Sequence, residues 1–315
     1  MKRIAVIGLI VVLMLIPVVA VNCDSNGGGD GGGNLSWGEM TSGITTNLVG
    51  VWGNSSSDVF AVGNAGNIWH YDGGSWNEVD SGIPWPLYGI WGSSSSDVFA
   101  VGEYTILHYD GSSWSEMSSG NTKVIYSVWG SSSSDVFAMG DAGTILHYDG
   151  SSWNEMDSGT DYLLSSIWGS SSSDVFAVGH DYTNSTILHY DGSNWSKMDM
   201  VTIDWQESLV GVWGTSSSDV YAVGGFNGTI LHYDGSSWGV MHDIEWYLNG
   251  IWGSSSSNVY AVGGGGTILH YDGSSWGVTR SGTLSQSDLN GVWGSSTSDV
   301  FAVGDDATVL HYADR

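Results

Sequence analysis

Basic residues, cysteine and helical periodicity are all scarce in this sequence. It contains 6 Lys and Arg against 33 Asp and Glu, which gives a formal net charge of −27 at pH 7. Because so acidic a chain repels phosphate backbones and anionic lipids, we expect no nucleic-acid partner. The one cysteine, Cys23, excludes an internal disulfide framework. No window of a dozen residues has the helical period, and the 48 Gly argue against long helices.

The signatures of several enzyme classes are missing as well. Outside the first few residues only Arg280 and Arg315 remain, too few for the arginine cluster with which sialidase-type enzymes bind a carboxylate. The G-x-S-x-G, phosphate-loop and H-E-x-x-H patterns do not occur, so we expect no catalytic residues, no cofactor and no metal. A pair of loop carboxylates for glycoside hydrolysis, for instance Asp181 with Asp204, keeps a polysaccharide hydrolase open as an alternative.

What the chain has in abundance is an aromatic repeat of about 40 residues, a period that is typical of propellers and solenoids. A Trp-Gly pair and a His-Tyr pair mark the repeats, at Trp52, Trp91, Trp129, Trp168, Trp213, Trp252 and Trp293 and at His70, His108, His147, His189, His232, His270 and His311. In the stretch Ile125–Met156, four short β-type runs are separated by turn signals. Since four antiparallel strands per repeat make one blade, we predict an all-β, seven-bladed β-propeller.

The two ends of the chain predict how the ring closes. The last repeat stops at His311-Tyr312, before its fourth strand, whereas a separate fourth-strand pattern, Ser36–Gly43, precedes the first repeat. A closed ring with no free end face needs every blade to be complete. We therefore predict that the N-terminal strand completes the last blade and that residues 35–315 form one propeller domain.

A targeting segment is predicted at residues 1–22. Lys2 and Arg3 precede an apolar run that ends at Val21, which is the pattern of an export signal. We expect this segment to place the rest of the chain outside the cytoplasm.

The segment and the Cys23 that follows it resemble a bacterial lipoprotein leader, which implies that Cys23 is lipidated and anchors the protein to a membrane. Two alternatives stay open: cleavage after Ala20, which would release a secreted protein, and retention of the apolar run as a membrane helix. Residues 23–34 are Gly-rich and are predicted to be a flexible tether.

Alternating strand direction sorts the connections of the predicted blades onto two ends of the disc. The strand 1–2 and strand 3–4 turns, GSSSSD and YDGSS, are nearly the same in every repeat, and we call their end the constant end. The strand 2–3 loops and the links between blades vary, and we call their end the variable end. Because binding residues usually lie on loops of a rigid scaffold, the ligand site is predicted on the variable end.

Aromatic residues and carboxylates are concentrated on the variable end, where they suit either stacking on sugars or a protein interface. The candidate ligand-binding residues are Trp85, Tyr104, Tyr162, His180, Tyr182, Trp205, Phe226 and Trp246. Tyr88, Tyr126 and Tyr247 fall near the start of strand 1 and are predicted to extend the packing of the blades instead.

The repeat region resembles secreted bacterial propeller repeats of the type W-G-S-S-x-S-D-V-[FWY]-A-V-G…G-T-I-L-H-[YW]-D-G-S-S-W, here WGSSSSDVFAMGDAGTILHYDGSSW at Trp129–Trp153. It is loosely similar to Asp-box and photosystem-assembly-factor-like propellers. A further similarity, to tryptophan–aspartate repeat propellers, implies a hydrogen-bonded network in each blade, here Trp129, Ser134, Asp135 and His147. Each repeated histidine falls on the third strand of its own blade, away from the axis, so the seven cannot converge on one ion and are expected to be structural.

These features together predict an exported, membrane-tethered and monomeric binding module without enzymatic activity. Its expected partner is a glycan or a protein at the cell surface, and its expected contact with the membrane is the N-terminal anchor alone. A polysaccharide hydrolase and a structural or assembly scaffold are the alternatives.

Overall fold

The computed structural model describes residues 35–181, 184–200, 208–225, 228–242, 244, 246–280 and 287–314. The predicted leader, the tether and Cys23 lie outside these residues, and so do Tyr182, Trp205 and Phe226. Within the described ranges, no helix is long and apolar enough to cross a membrane.

Seven antiparallel sheets of four strands, which we number as blades 1 to 7, account for nearly all of the described secondary structure. Blade 1 contains β2 (Leu48–Ser55), β3 (Asp58–Gly63), β4 (Ile68–Tyr71) and β5 (Trp76–Val79). Blade 2 contains β6 (Leu87–Ser94), β7 (Asp97–Gly102), β8 (Thr105–Tyr109) and β9 (Trp114–Glu116). Blade 3 contains β10 (Ile125–Ser132), β11 (Asp135–Gly140), β12 (Ile145–Tyr148) and β13 (Trp153–Met156). Blade 4 contains β14 (Leu163–Ser171), β15 (Asp174–His180), β16 (Ser185–Tyr190) and β17 (Trp195–Lys197). Blade 5 contains β18 (Leu209–Ser216), β19 (Asp219–Gly224), β20 (Thr229–Tyr233) and β21 (Trp238–His242). Blade 6 contains β22 (Leu248–Ser255), β23 (Asn258–Gly263), β24 (Ile268–Tyr271) and β25 (Trp276–Arg280). Blade 7 contains β26 (Leu289–Ser296), β27 (Asp299–Gly304), β28 (Val309–Asp314) and, from the start of the repeat region, β1 (Leu35–Glu39).

Short 3-10 turns join strands 2 and 3 in blades 1, 3 and 6, at Asn64–Gly66, Asp141–Gly143 and Gly264–Gly266. In blades 1 to 6 the four strands follow one another along the chain from the inner strand outward, and in blade 7 β1 takes the outermost place. The prediction of an all-β, seven-bladed propeller with four antiparallel strands per blade is confirmed.

The second strand of each blade is apolar on both faces because a neighbouring blade covers each face. In blade 1, Phe60 packs with Val98 of blade 2, whereas Val59 packs with Phe301 of blade 7. A fully buried side chain of this kind stabilises the fold by about 1.5–3 kcal/mol. The core is therefore a set of clusters between blades, and no blade could bury its two apolar faces alone.

β1 pairs with β28, as the sequence predicts. In their antiparallel register Trp37 lies opposite Tyr312 and Gly38 lies opposite His311. The innermost strands β2 and β26 also pack side by side. The ring is thus closed, and blade 7 is built from both ends of the repeat region.

The inner strand of every blade is bulged near its start. The strand pairing shifts register at the residue that follows the first buried Leu or Ile of the strand. The bulged residues are Val49, Tyr88, Tyr126, Ser165, Val210, Asn249 and Asn290. A bulge takes one residue out of the register with strand 2 and turns its side chain to a new direction.

Candidate functional site

The constant end is built from turns that bind their own aspartates. In blade 3, Asp149 Oδ1 accepts hydrogen bonds from the N–H groups of Ser151 and Ser152, each at 2.9 Å, and from the Ser151 hydroxyl at 2.6 Å. These hydrogen bonds lower the pKa of Asp149 to about 2, and the bond from the Ser151 hydroxyl has the largest effect. A Cβ at Gly150 would lie 2.7 Å from Ser134 Cβ, so the strand 3–4 turn lies against the strand 1–2 turn. These repeated carboxylates are engaged in the turns themselves.

The repeated histidines make short contacts within their own blades. His147 Nε2 lies 2.7 Å from Asp135 Oδ1, and the Ser131 hydroxyl donates to Asp135 Oδ2 at 2.5 Å. The His147 ring stacks on Phe137, with 4.5 Å between the ring centroids. The expected contact between histidine and aspartate is confirmed by this geometry.

The prediction of Ser134 as the serine of this network is wrong, because the hydroxyl that donates to Asp135 belongs to Ser131. Ser134 lies in the strand 1–2 turn, where its N–H donates to Ser132 Oγ at 3.4 Å. Trp129 packs its indole against Gly169 of the next blade. In the part of the chain that the structure describes, no group of three or more His, Cys, Asp or Glu is placed to hold a metal ion.

The variable end is formed by strand 2–3 loops and links that hold one another. The N–H of Gly143, in the loop of blade 3, donates to the carbonyl of Tyr162 in the following link at 2.7 Å. The N–H of Glu103, in the loop of blade 2, donates to the carbonyl of Pro86 in the preceding link at 3.0 Å. These bonds fix the backbone that carries the candidate residues.

The candidate residues that the structure describes divide into an exposed and a half-buried group. Trp85, Tyr104 and Trp246 are 52 %, 53 % and 55 % exposed. Tyr162 and His180 are half-buried. The exposed group presents aromatic surface to solvent, whereas the other two are engaged within the chain.

Tyr162 and His180 are engaged in different ways. A hydrogen bond to Asp181 raises the pKa of Tyr162, and Lys197 Nζ lies 5.8 Å from the centroid of the Tyr162 ring. Burial lowers the pKa of the His180 imidazole.

Trp246 and Tyr247 lie over the GGGG loop of blade 6. A Cβ at Gly265 would lie 3.8 Å from the Trp246 ring, and a Cβ at Gly264 would lie 2.8 Å from the Tyr247 ring. The Tyr247 hydroxyl donates to Asp288, and this bond is the main cause that raises the pKa of Tyr247 to about 12. Gly264 therefore leaves room for the Tyr247 ring, whereas a Cβ at Gly265 would be in ordinary contact with Trp246.

A central channel, which we did not anticipate from the sequence, begins at the variable end. It is a cavity of about 400 Å³ lined by residues near the start of the seven inner strands. Tyr88 and Tyr126 line it, with their ring centroids 5.3 Å apart, and Asn249 and Asn290 line it from blades 6 and 7. The two tyrosines thus form part of the channel wall as well as the packing predicted for them. The available signal was that the residue at this point of strand 1 changes from repeat to repeat.

Solved structures share this architecture. A structure described as YCF48 bound to D1 peptide is 16 % identical, with a TM-score of 0.72 over 89 % of this chain and 95 % of that chain. YCF48 from Cyanidioschyzon merolae is 14 % identical, with a TM-score of 0.71 over 88 % and 98 %. The WD40 β-propeller domain of Doa1 is 12 % identical, with a TM-score of 0.74 over 90 % and 98 %. No protein-family model and no curated protein matches the chain. At these identities the likeness establishes one shared property, the seven-bladed β-propeller fold.

Proposed function

We propose that this protein is a non-enzymatic binding module that holds a partner protein on its variable end. The observation that carries the proposal is the distribution of exposed apolar side chains. Of the large hydrophobic residues that are exposed in the described part of the chain, four lie on the variable end: Trp85, Tyr104, Trp246 and Tyr247. The others, Leu35, Val240 and Val278, lie on outer strands. Exposed aromatic residues on a rigid frame are typical anchors of protein interfaces.

The structural relatives support a protein partner over other ligands. One of them is described as bound to a D1 peptide, and it shares the fold over 89 % of this chain. A rigid ring that presents loops at one end suits an assembly scaffold, in which the bound segment is positioned and not altered.

A glycan is the second candidate for the variable end. Sugar rings stack on the faces of Trp and Tyr, and Trp85 and Trp246 each expose more than half of their surface. Hydrolysis of a polysaccharide has less support. Asp181, one of the two carboxylates considered for it, accepts the N–H of Asn184 at 2.8 Å, and Asp204 lies outside the described residues.

Export and tethering belong to the same proposal. Their support is the N-terminal pattern of Lys2, Arg3, an apolar run and Cys23. If Cys23 is the lipidated anchor, Cys23→Ser should release a monomeric protein from the membrane fraction. Retention of the variant in that fraction would instead favour an uncleaved helix.

The test of the binding site compares two triple variants of the full chain. The first is Trp85→Ala, Tyr104→Ala and Trp246→Ala, which removes aromatic surface from the variable end. The second is Leu35→Ala, Val240→Ala and Val278→Ala, which removes exposed apolar side chains from the outer strands. Both are used to capture envelope proteins and to probe a glycan array.

We expect the first variant to lose at least about tenfold in affinity for the captured protein, since interface aromatics often contribute 2 kcal/mol or more each. The second variant should bind as the parent does. Equal binding by both variants would refute the variable end as the site. Binding of the parent to glycans alone would replace the protein partner by the second candidate.

A further inference from the structure

One loop of the variable end holds a tyrosine in a backbone conformation that bulky residues rarely adopt. In blade 2 the residues Glu103 and Tyr104 join strands 2 and 3, and the φ angle of Tyr104 is +62°. The other non-glycine residues with positive φ in the described part of the chain have short side chains: Ala65, Ala142, Asp306 and Ala307. Residues held in such conformations cluster at binding sites. Since Tyr104 is 53 % exposed, packing in the core does not account for it.

The link beside this loop is stiff and also carries an exposed ring. Pro84 and Pro86 flank Trp85, and they are the only prolines in the sequence after residue 17. Because a proline fixes its own φ and restricts the residue before it, the backbone of Trp85 is preorganised. The Glu103 N–H donates to the Pro86 carbonyl at 3.0 Å, which joins this backbone to the loop of Tyr104. Blade 2 thus presents its two rings without a large entropic cost on binding.

A groove of about 360 Å³ lies beside Tyr104. It is lined by Tyr104 and by residues 116–121, which end the outer strand β9 and begin the link to blade 3, and we call it the Tyr104 groove. Asn121 closes one wall, because its Nδ2 donates to the Lys123 carbonyl at 2.6 Å and its Oδ1 accepts the Lys123 N–H at 3.1 Å. The amide of Asn121 is therefore already satisfied, and the wall that it forms is fixed.

Glu116 is the charged residue that lines the Tyr104 groove. Among the described residues it accepts one hydrogen bond, from the Thr105 hydroxyl at the long distance of 3.5 Å. A carboxylate accepts about four hydrogen bonds, so Glu116 has capacity for a ligand. The ion pairs of the described residues all join a histidine to an aspartate, so neither Glu116 nor Lys123 belongs to one. In the described part of the chain no Lys or Arg lines this groove.

Blade 1 has a groove at the same place that lacks both features. Its loop carries Ala65 where blade 2 has the ring of Tyr104. Its carboxylate, Glu78, is the third residue of the outer strand, as Glu116 is in blade 2, but it accepts Asn67 Nδ2 at 2.6 Å. What distinguishes blade 2 is therefore an exposed ring together with a carboxylate that has capacity for a partner.

We infer that the Tyr104 groove binds the guanidinium group of an arginine in a basic segment of the partner protein. The plane of a guanidinium group stacks on an aromatic ring, here Tyr104, while its N–H groups donate in pairs to a carboxylate, here Glu116. A lysine would offer the same charge without the flat surface, so arginine should be preferred. The net charge of −27 favours the approach of a basic segment. The inference rests on the proposed function and names the side chain that blade 2 selects.

The test titrates short peptides into the ¹⁵N-labelled full chain and follows the backbone amide signals of Ser118 and Gly120 in the groove. The probes are four nonapeptides of Gly and Ser with Arg, Lys, citrulline or Glu at the centre. Citrulline has the shape of arginine without its charge. NMR titration measures the weak affinities that a single side chain provides.

Four variants locate the site. Glu116→Gln removes the charge, Tyr104→Phe keeps the ring and Tyr104→Gly removes it. Glu155→Gln is the matched control, because Glu155 is the third residue of the outer strand in blade 3, is exposed and has Ala142 in place of a ring on its loop. Thermal unfolding of each variant shows that the propeller remains folded.

We expect the Arg peptide to bind at least about threefold more tightly than the citrulline peptide and more tightly than the Lys peptide, with a preference that weakens at high salt. Glu116→Gln and Tyr104→Gly should each weaken the Arg peptide by about two- to fivefold, whereas Tyr104→Phe and Glu155→Gln should not. Tyr104→Gly should not lower the midpoint of thermal unfolding, since glycine adopts a positive φ freely. A loss of stability in that variant would instead indicate a structural role for the ring.

Equal binding of the Arg and citrulline peptides would overturn the inference, and so would an equal effect of Glu116→Gln and Glu155→Gln. These outcomes leave the proposed function intact if capture of a protein still depends on Trp85, Tyr104 and Trp246. If the parent captures no protein but prefers the Arg peptide, the Tyr104 groove stands and the proposed function fails.

Discussion

The indole of Trp293 in blade 7 lies against Gly53 in blade 1, where an added Cβ would be 2.6 Å from Trp293 Cη2. The same relation joins every neighbouring pair of blades, as Trp129 and Gly169 illustrate. The Trp-Gly pair that marks the repeat is thus one interlocking contact: the Trp of a blade fills the space that the Gly of the next blade leaves. This contact includes the pair at which the ring closes.

The glycine in this contact should tolerate no side chain. We expect Gly169→Ala to lower the free energy of unfolding by about 1–3 kcal/mol, as overpacking in a dense core does. The added methyl would lie 2.6 Å from Trp129 Cη2 and 3.0 Å from the Asp174 carbonyl oxygen. Denaturant unfolding measures the change. Gly239→Ala is the matched control, since nothing lies within 4 Å of its Cβ in an outer strand. A similar loss in both variants would contradict the interlocking contact.

Closure of the ring should depend on Trp37. Its ring lies 5.9 Å from that of Tyr260 in blade 6 and 5.4 Å from that of Tyr312 in blade 7. Trp37→Ala should lower the free energy of unfolding by about 3 kcal/mol because it leaves a cavity between two blades. Leu35→Ala, at a residue of the same strand that is 41 % exposed, should change the midpoint of thermal unfolding little. Equal midpoints for the two variants would show that β1 does not hold the ring.

The contribution of blade 6 to stability should depend on pH differently from that of the other blades. His270 faces Asn258, at 2.9 Å, where the other blades have Asp, and burial lowers the pKa of His270. As pH falls, His270 is therefore protonated in the unfolded chain at a higher pH than in the folded protein. The stability that neutral His270 provides is present above the unfolded pKa of about 6.5 and is lost as pH falls through the folded value.

Asn258→Asp should reverse this behaviour by placing a carboxylate beside the imidazole. We expect the pKa of His270 to rise and stability at pH 5–6 to increase relative to the parent. NMR titration of the His270 Cε1 proton and urea unfolding at two pH values measure both effects. An unchanged His270 titration would mean that burial alone sets its proton affinity.

The aspartates of the strand 3–4 turns should cause a second loss of stability, at a lower pH. The pKa of Asp149 is lowered from 3.8 to about 2, and those of Asp110, Asp234 and Asp272 are lowered to about 2 as well. Their contribution is present above pH 3.8 and is lost as pH falls towards 2. Ser151→Ala should raise the pKa of Asp149, because the Ser151 hydroxyl bond is the largest cause of the shift.

Ser152→Ala is the control for that titration. Ser152 donates to Asp149 through its backbone N–H, which the variant keeps. The carboxyl ¹³C shift of Asp149 should therefore titrate as in the parent for Ser152→Ala and at higher pH for Ser151→Ala. Identical curves for the two variants would assign the low pKa to the backbone alone.

The fold could be predicted because the same sequence pattern of strands and turns recurs in all seven repeats. The interval between Trp-Gly pairs, the four runs of Ile125–Met156 and the displaced fourth strand at Ser36–Gly43 all indicate the same closed ring. The strand ends were less predictable. In blade 3 the run GSSSSD was predicted to be the strand 1–2 turn, but β10 continues to Ser132 because Ser132 still pairs with Asp135.

The site could be predicted only in outline. Loop variation located the variable end and its exposed residues Trp85, Tyr104 and Trp246. The role of Tyr88 and Tyr126 in the channel depends on bulges, and a bulge is set by pairing with strand 2, which the sequence of strand 1 does not specify. Ser131 could not be distinguished from Ser134 as the partner of Asp135, since both belong to the run GSSSSD that was predicted to be one turn, whereas Ser131 lies in β10.

The pairing of Leu35 with Asp314 has a consequence for the order in which the molecule assembles. Blades 1 to 6 each consist of consecutive strands and can form early, from contacts close in sequence. β1 can pair with β28 only after the whole repeat region between them has been synthesised, so we expect the joining of these two strands to be a late step of folding. During that delay the free edge of β28 can accept β1 of another molecule, and crowded refolding should therefore yield exchanged dimers that dilution does not.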